Sequence, residues 1–207
     1  MAGCGSVKVD GLEDFRKKLE ENLSEEEIQL FMEQCAKELA ARLLTKCIKR
    51  TPVGVRPKIT GKKFTVVKGA SGKKQKFLSA EAARYEKYWA GYSGGTLRRG
   101  WTAKTHEEAK SGGGNGTPVA EFVSGLNVNH AGEAYTIEII NPVEYAPYIE
   151  YGHRQTVGRY VPAIGKKLKK GWVEGKFMLT KSAEEIQRDA PRILEQKLKR
   201  KLGECIK

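Results

Sequence analysis

The longest amphipathic pattern lies in the first quarter of the chain. Ser24 and Glu27 form a capping box, in which a hydroxyl and a carboxylate satisfy free backbone amides at a helix start. Apolar residues then recur at steps of three and four, which places them on one face of a helix: Ile28, Phe31, Cys35, Leu39 and Leu43. Pro52 disfavours helix at Thr51, because its ring crowds the preceding backbone. The pattern predicts a helix from the capping box to about Arg50, preceded by a shorter amphipathic helix over 12–23.

A second amphipathic pattern closes the chain. Ser182 and Glu185 repeat the capping-box spacing. The apolar residues that follow are Ile186, Ile193, Leu194, Leu198, Leu202 and Ile206, with basic residues between them. Pro191 lies inside this pattern, and an interior proline costs a helix about 3 kcal/mol. We therefore expect a C-terminal helix that kinks or restarts at Pro191.

The middle of the chain shows strand patterns. Residues 119–128 and 134–140 are rich in apolar and β-branched side chains, and the five residues between them suit a hairpin turn. Residues 64–67 indicate a loop or an exposed hairpin, 79–89 a helix, and 145–151 a short helical or extended aromatic segment. Together these elements predict an α+β fold with N-terminal and C-terminal amphipathic helices packed on a mainly antiparallel sheet.

The distribution of charge marks an insertion. The chain has 207 residues and a formal net charge of +13, which favours a polyanionic or acidic partner. Residues 54–94 contain ten Lys or Arg and two acidic residues, and a further basic, glycine-punctuated stretch covers 153–176. We therefore predict a single domain over 1–207, interrupted by a basic insertion at about 54–94.

The basic insertion is compatible with nucleic-acid binding. Its lysines alternate with aromatic residues, a mixture that neutralises phosphates while rings stack on unpaired bases. No helix-turn-helix, zinc-finger or RNA-recognition motif is readable, so this alternative function is sequence-nonspecific nucleic-acid binding through 54–94. The other interpretation, which stays open, is a basic segment whose aromatic residues anchor it to the body of the protein.

Candidate chemistry is sparse. His106, His130 and His153 fall in predicted loops, and none has the spacing of a metal ligand. Residues 165–171 lack the Lys-Ser/Thr of a phosphate-binding loop. Four scattered cysteines predict reduced thiols. The residues themselves therefore indicate no catalytic, cofactor or metal site, and an enzyme of unrecognised type stays a third possibility.

Nothing in the sequence predicts a membrane protein. No apolar run approaches the roughly 18 residues of a membrane span, and residues 1–10 lack the apolar core of a signal peptide. The expectation is a protein that stays in the cytoplasm in which it is made and has no membrane partner.

Several short motifs occur in an order that is similar to a family of tailed-phage neck and tail components. The main one is 141–153, Asn-Pro-Val-Glu-Tyr-Ala-Pro-Tyr-Ile-Glu-Tyr-Gly-His. Gly11, Leu12 and Phe15 resemble the opening helix of that family. Residues 50–53 resemble its Thr-Pro-Val step and 95–101 its Gly-x-Leu-Arg-x-x-Trp step. These two steps usually abut in the family, which supports an insertion between them. Residues 171–179 resemble the variant in contractile-tailed phages and defective Bacillus-type prophages.

The resemblance implies a non-enzymatic virion protein of the phage neck with an α+β fold. Its expected role is that of a head–tail connector, a tail-completion protein or a tail terminator. The implied partners are copies of itself in a sixfold or twelvefold ring, neighbouring neck, connector and tail tube or sheath proteins, and phage DNA in the channel. Assembly in the host bacterial cytoplasm follows from the same resemblance.

Two groups of candidate site residues follow from the ring hypothesis. Tyrosines give a subunit contact large buried area with a hydrogen-bonding tip. The candidate interface residues are Tyr145, Tyr148, Glu150, Tyr151 and His153. The candidate contacts to channel DNA or to an acidic partner are Lys62, Lys63, Lys68, Lys73, Lys74 and Lys76. A simpler role for Tyr145 and Tyr148, sealing the edge of the core, stays open at this point.

Overall fold

The computed structural model describes residues 4–5, 24–56, 63–68, 74–92, 94–112, 116–132, 134–161 and 166–205. Seven helices lie in these ranges: α1 (Glu25–Arg50), α2 (Ala80–Tyr88), α3 (Thr96–Arg99), α4 (His106–Ser111), α5 (Val119–Ser124), α6 (Ala146–Tyr151) and α7 (Met178–Cys205). A 3₁₀ turn, Gly100–Thr102, follows α3 directly. The opening helix predicted over 12–23 lies outside the described residues.

The strands of the described ranges are short: β1 (Cys4–Gly5), β2 (Phe64–Lys68), β3 (Lys74–Leu78), β4 (Asn129–Ala131), β5 (Ala134–Thr136), β6 (Ile139–Ile140), β7 (Gly152–Arg154), β8 (Tyr160–Val161), β9 (Lys166–Lys167) and β10 (Trp172–Glu174). They form five two-stranded sheets, in which β1 pairs with β6, β2 with β3, β4 with β5, β7 with β10 and β8 with β9. The predicted α+β class is confirmed, with the strands in separate pairs instead of one sheet.

The chain divides into two compact units. Unit 1 contains 1–52, 96–152 and 174–207, and unit 2 contains 53–95 and 153–173. The first segment of unit 2 has nearly the limits of the predicted basic insertion, whereas its second segment was not predicted to group with it. The prediction of a single interrupted domain stays a prediction.

Unit 1 is built around two long helices. The capping box at the start of α1 is confirmed: the Glu27 amide donates to Ser24 Oγ, and the Glu27 carboxylate accepts from the Ser24 amide. The apolar face of α1 is buried and packs against α7. The core includes Phe31, Cys35, Leu44 and Cys47 from α1 and Met178, Ile186, Ala190 and Leu194 from α7. Burial of this shared face is the main stabilising term of the unit.

A group of ion pairs connects the two helices at their polar edge. Lys46 Nζ lies 2.8 Å from Glu185 Oε2 and 3.7 Å from Asp189 Oδ2, and Arg50 also pairs with Glu185. The hydrogen bond from Lys46 and the charge of Arg50 lower the pKa of Glu185. Glu185 is therefore more easily ionised in the folded chain than in the unfolded one.

This lowered pKa makes the contribution of Glu185 to stability depend on pH. A carboxylate whose pKa is lower in the folded state stabilises the protein above its unfolded pKa, and this gain is lost as the pH falls through the folded pKa. We expect Glu185→Gln to lower the free energy of unfolding at about pH 7 and to have little effect near pH 3. Urea unfolding at both pH values tests this. The exposed neighbour variant Glu184→Gln is the control, and an equal loss at both pH values contradicts the prediction.

The predicted start of the C-terminal helix is wrong. Helix α7 begins at Met178, four residues before Ser182, and runs to Cys205 without restarting at Pro191. The buried Ser182 hydroxyl donates to the Met178 carbonyl oxygen at 2.6 Å, a bond within the helix. Glu185 pairs with Lys46 and Arg50 instead of capping an end. The Ser-x-x-Glu spacing is thus present inside a helix and not at its start.

The strand predicted over 119–128 is also wrong, because 119–124 form helix α5. Val123 is buried, and Val119, Phe122 and Leu126 are partly buried against the core. These positions recur at steps of three and four, as expected for one face of a helix. Packing of this face on the core therefore decides the structure, although the β-branched residues favour a strand. Residues 134–140 do form strands, β5 and β6, with a break at 137–138, and β5 pairs with β4.

Unit 2 contains an antiparallel hairpin, a helix and a group of packed aromatic rings. Of the two alternatives predicted around 64–67, a loop or an exposed hairpin, the structure has the hairpin, formed by β2 and β3. The helix predicted over 79–89 is confirmed as α2 with Ser79 as N-cap. Trp89 packs edge-on against Tyr92 with ring centroids 4.8 Å apart, and Arg56 lies over the Tyr85 ring at 4.8 Å. Arg56 also pairs with Glu86. These contacts connect Arg56 to α2 and the residues that follow it.

Candidate interaction site

The residues that carry the family motifs meet in unit 1. Thr51 ends α1, and its hydroxyl donates to the Cys47 carbonyl at 2.7 Å. The same hydroxyl accepts from Trp101 Nε1 at 2.6 Å, and the Thr51 carbonyl accepts from Arg98 at 2.8 Å. Thr51 and Trp101 are almost fully buried. Two motifs that are separated in sequence by the basic insertion are therefore in direct contact.

A third motif joins this group through Asn141. Its amide nitrogen donates to the Leu97 carbonyl at 2.9 Å, and its side-chain oxygen accepts from the Val143 amide at 3.2 Å. Gly100 lies so close that a Cβ there would be 2.3 Å from the Asn141 side-chain oxygen, which explains the glycine. We call the five residues Thr51, Leu97, Arg98, Trp101 and Asn141 the signature cluster.

Glu150 connects α6 to the start of α7. Its carboxylate accepts from the Leu179 amide at 3.0 Å, the Thr180 amide at 2.9 Å and the Thr180 hydroxyl at 2.8 Å. A carboxylate at the N-terminus of a helix satisfies free amides and complements the helix dipole. Glu150 is 6% exposed. The Glu150 carboxylate therefore has its hydrogen-bond partners within the chain.

Three tyrosines of the same segment are exposed. Tyr145 precedes α6 as its N-cap residue, and Tyr148 and Tyr151 lie within the helix at steps of three. Their exposed fractions are 41%, 58% and 53%. The anchored α6 helix thus presents a row of large side chains to solvent. A contact of these tyrosines with another subunit and the alternative for Tyr145 and Tyr148, sealing of the core edge, both stay predictions.

A family model decides the identity of the chain. The family is described as "Bacteriophage HK97-gp10, putative tail-component", and its model matches residues 13–152, which are 140 of the 207 residues. The chain belongs to this family of phage tail components. Neither a curated protein nor a solved structure matches it. The predicted relationship to tailed-phage components is confirmed, and the family is a structural one of the virion.

The family match ends at Gly152, so the candidate interface residue His153 lies outside it. His153 belongs to β7 in unit 2 and is partly buried, with its Nε2 atom 3.3 Å from Gln155 Nε2. His106 begins α4 and His130 lies on β4. The prediction that the three histidines lie in loops is therefore wrong. A helix or strand of three to six residues contains too few positions for its hydrophobic period to be recognised in the sequence.

The candidate lysines of the tail component lie on one hairpin as far as the structure describes them. Lys63 directly precedes β2, Lys68 ends it, and Lys74 and Lys76 lie on β3. Lys63, Lys74 and Lys76 are exposed. Lys62 and Lys73 lie outside the described residues. A contact of these lysines with DNA or with an acidic partner stays a prediction.

The described part of the tail component contains no cluster of three or more His, Cys, Asp or Glu placed to hold a metal ion. Within the same ranges, no helix is long and apolar enough to cross a membrane. Cys35 and Cys47 are free thiols, and burial raises their pKa to about 11 and about 12. Thiols with such pKa values stay protonated and unreactive at neutral pH.

Sequence reasoning missed how the motifs act. It identified Thr51, Arg98, Trp101 and Asn141 as marks of a family but assigned them no contact. The available signal was chemical: Thr, Asn and Arg in an apolar context need hydrogen-bond partners. Sequence reasoning also missed that 153–173 folds with 53–95, for which the second basic stretch was the only sign.

Proposed function

We propose that this phage tail component forms a homo-oligomeric ring at the head–tail junction of the virion, where it acts in head–tail connection, tail completion or tail termination. The observation that carries the proposal is the row of exposed tyrosines on α6. A ring needs a heterologous contact, in which one patch of each subunit meets a different patch of the next. Tyrosine is enriched at the centres of such contacts.

The signature cluster supports this role by fixing α6. Asn141 holds the segment before the helix, and Glu150 holds the end of the helix against α7. A contact surface on a rigid element avoids the entropy cost of ordering a loop on binding. In this proposal Tyr145, Tyr148 and Tyr151 contact the neighbouring subunit, and Glu150 positions them. His153, from unit 2, remains a candidate contact.

Complementation of a phage gene deletion tests the proposal by electron microscopy. We expect the deletion to give filled heads with separate tails, or tails that are overlong or unstable. A Tyr148→Ala/Tyr151→Ala gene should reproduce this defect, because truncating a central interface tyrosine costs about 2 kcal/mol, or about 30-fold in affinity. Light scattering of the purified proteins should show the same loss of self-association.

The matched control is Tyr88→Ala in unit 2, which removes a tyrosine that is 65% exposed. It should restore complete particles. Complete, normal particles from the deletion itself would overturn the proposed function. A double tyrosine variant that assembles as well as Tyr88→Ala would overturn the α6 interface while leaving the role at the junction open.

A further inference from the structure

The net charge of the protein belongs to one unit. Sixteen of the 38 Lys and Arg residues and two of the 25 Asp and Glu residues lie in 53–95 and 153–173. Unit 2 therefore has a formal charge of +14, and the 22 basic and 23 acidic residues of unit 1 give −1. The segment 153–173 contributes six basic residues and no acidic one. The two basic stretches of the sequence thus belong to one body.

The basic side chains of unit 2 are exposed. Those that the structure describes as exposed are Lys63, Lys74, Lys76, Arg84, Lys87, Arg154, Arg159, Lys166, Lys167, Lys169 and Lys170. Between the described residues of this unit, Arg56–Glu86 is the only ion pair. The exposed surface of the described part of unit 2 is therefore basic.

We propose that unit 2 binds the phosphate backbone of a polynucleotide without sequence preference, through both of its segments. The residue types favour this ligand over an acidic protein. Of the sixteen basic residues, twelve are Lys and four are Arg. Lysine is depleted at the centres of protein interfaces, whereas it contacts phosphates readily as a point charge. This inference extends the predicted contact beyond 54–94 and does not depend on ring formation.

Amide side chains, the usual readers of adenine, are scarce in the same unit. It contains no Asn, and its Gln residues are Gln75 and Gln155. The scarcity of amides disfavours adenine readout, and the phosphate contacts that the abundant lysines can make carry no sequence information. Phe64, Phe77, Tyr160 and Trp172 are each about half exposed. Such rings add stacking where the bound strand has unpaired bases.

Fluorescence anisotropy of the full chain with two labelled probes tests the proposal. The probes are a short mixed-sequence DNA duplex and a single strand of the same length, titrated between ~50 mM and ~200 mM salt. We expect binding that weakens steeply with salt and is equal for a duplex of permuted sequence. Tighter binding of the duplex identifies duplex DNA as the source of the phosphates, and tighter binding of the single strand identifies unpaired DNA.

Two triple variants test the two segments separately. Lys63→Gln/Lys74→Gln/Lys76→Gln and Lys166→Gln/Lys167→Gln/Lys169→Gln should each reduce the log–log salt slope by about 2.7 on duplex DNA, because each phosphate contact contributes about 0.9. The control Lys49→Gln/Lys104→Gln/Lys110→Gln removes three exposed lysines of unit 1 and should leave the slope unchanged. Far-UV circular dichroism confirms that all variants fold.

Three results would overturn the proposal. They are undetectable binding of both probes at ~50 mM salt, a unit 1 control that weakens binding as much as the unit 2 triples, and tighter binding of polyglutamate than of either DNA. An unchanged slope in the 166–169 triple would overturn the part assigned to the second segment. Ring formation is measured by light scattering without DNA, so the failure of this proposal is distinguishable from the failure of the proposed function.

Discussion

Replacing Trp101 by alanine is expected to lower the free energy of unfolding by about 4 kcal/mol. The side chain is 3% exposed and belongs to the core of unit 1, and its indole N–H donates to the Thr51 hydroxyl. The substitution removes the buried ring, leaves a cavity and takes one partner from a buried hydroxyl. Urea unfolding followed by far-UV circular dichroism measures the loss through the helices of unit 1.

Two further variants separate the causes of this loss. Trp101→Phe keeps an aromatic ring and removes the donor, so it should cost less than Trp101→Ala, about 1–2 kcal/mol. Trp172→Ala removes a tryptophan of unit 2 that is 49% exposed, and should cost clearly less than Trp101→Ala, because about half of its side chain is already in water. If Trp101→Ala costs no more than Trp172→Ala, the signature cluster does not stabilise the fold as its contacts indicate.

The capping boxes show where sequence reasoning about the fold succeeds and fails. At Ser24 the pattern marks a helix start, and the structure has the helix in that position. At Ser182 the same pattern lies within α7, because residues 178–181 also take helical conformation. Their start is held by Glu150, which is about 30 residues away in sequence. A local pattern does not contain that tertiary contact.

The error at 119–128 has a similar cause. Valine and phenylalanine favour strands in general, but their preference for strands depends on packing. Here Val119, Phe122 and Val123 contact the core with a helical period. Segments of six residues carry too little periodicity for the sequence to decide between the two structures.

The residues of the candidate site could be listed from the sequence, but their contacts and their exposure could not be predicted from it. The motif order led to the family, and the structure explains the motifs as mutual contacts of Thr51, Trp101 and Asn141. The sequence did not indicate that Tyr148 points outward while Glu150, two residues later, is buried. This division follows from the position of α6 on the core, since neighbouring helical positions face different directions.

Replacing Glu150 by alanine is expected to lower the free energy of unfolding by about 3 kcal/mol, since the change breaks a buried, charge-assisted hydrogen-bond network. The Leu179 and Thr180 amides lose their acceptor, and the N-terminus of α7 loses a compensating negative charge. Glu150→Gln keeps one accepting oxygen and puts an N–H donor in place of the other, so one amide loses its acceptor and we expect an intermediate loss of about 2 kcal/mol. Urea unfolding measures both values.

Hydrogen exchange tests the local cause of this effect. In Glu150→Ala the amides of Leu179 and Thr180 should exchange faster, whereas amides near the centre of α1 should change only with global stability. The control is Glu184→Ala, which removes an exposed carboxylate from α7 and should stay within about 0.5 kcal/mol of the natural chain. Equal stability of the two alanine variants, with unchanged exchange at Leu179 and Thr180, would contradict the capping role.

Because Glu150→Ala destabilises the subunit itself, a loss of particles from this variant does not prove a subunit contact. The ring interface is therefore tested at the exposed Tyr148 and Tyr151, whose truncation leaves the helix start intact.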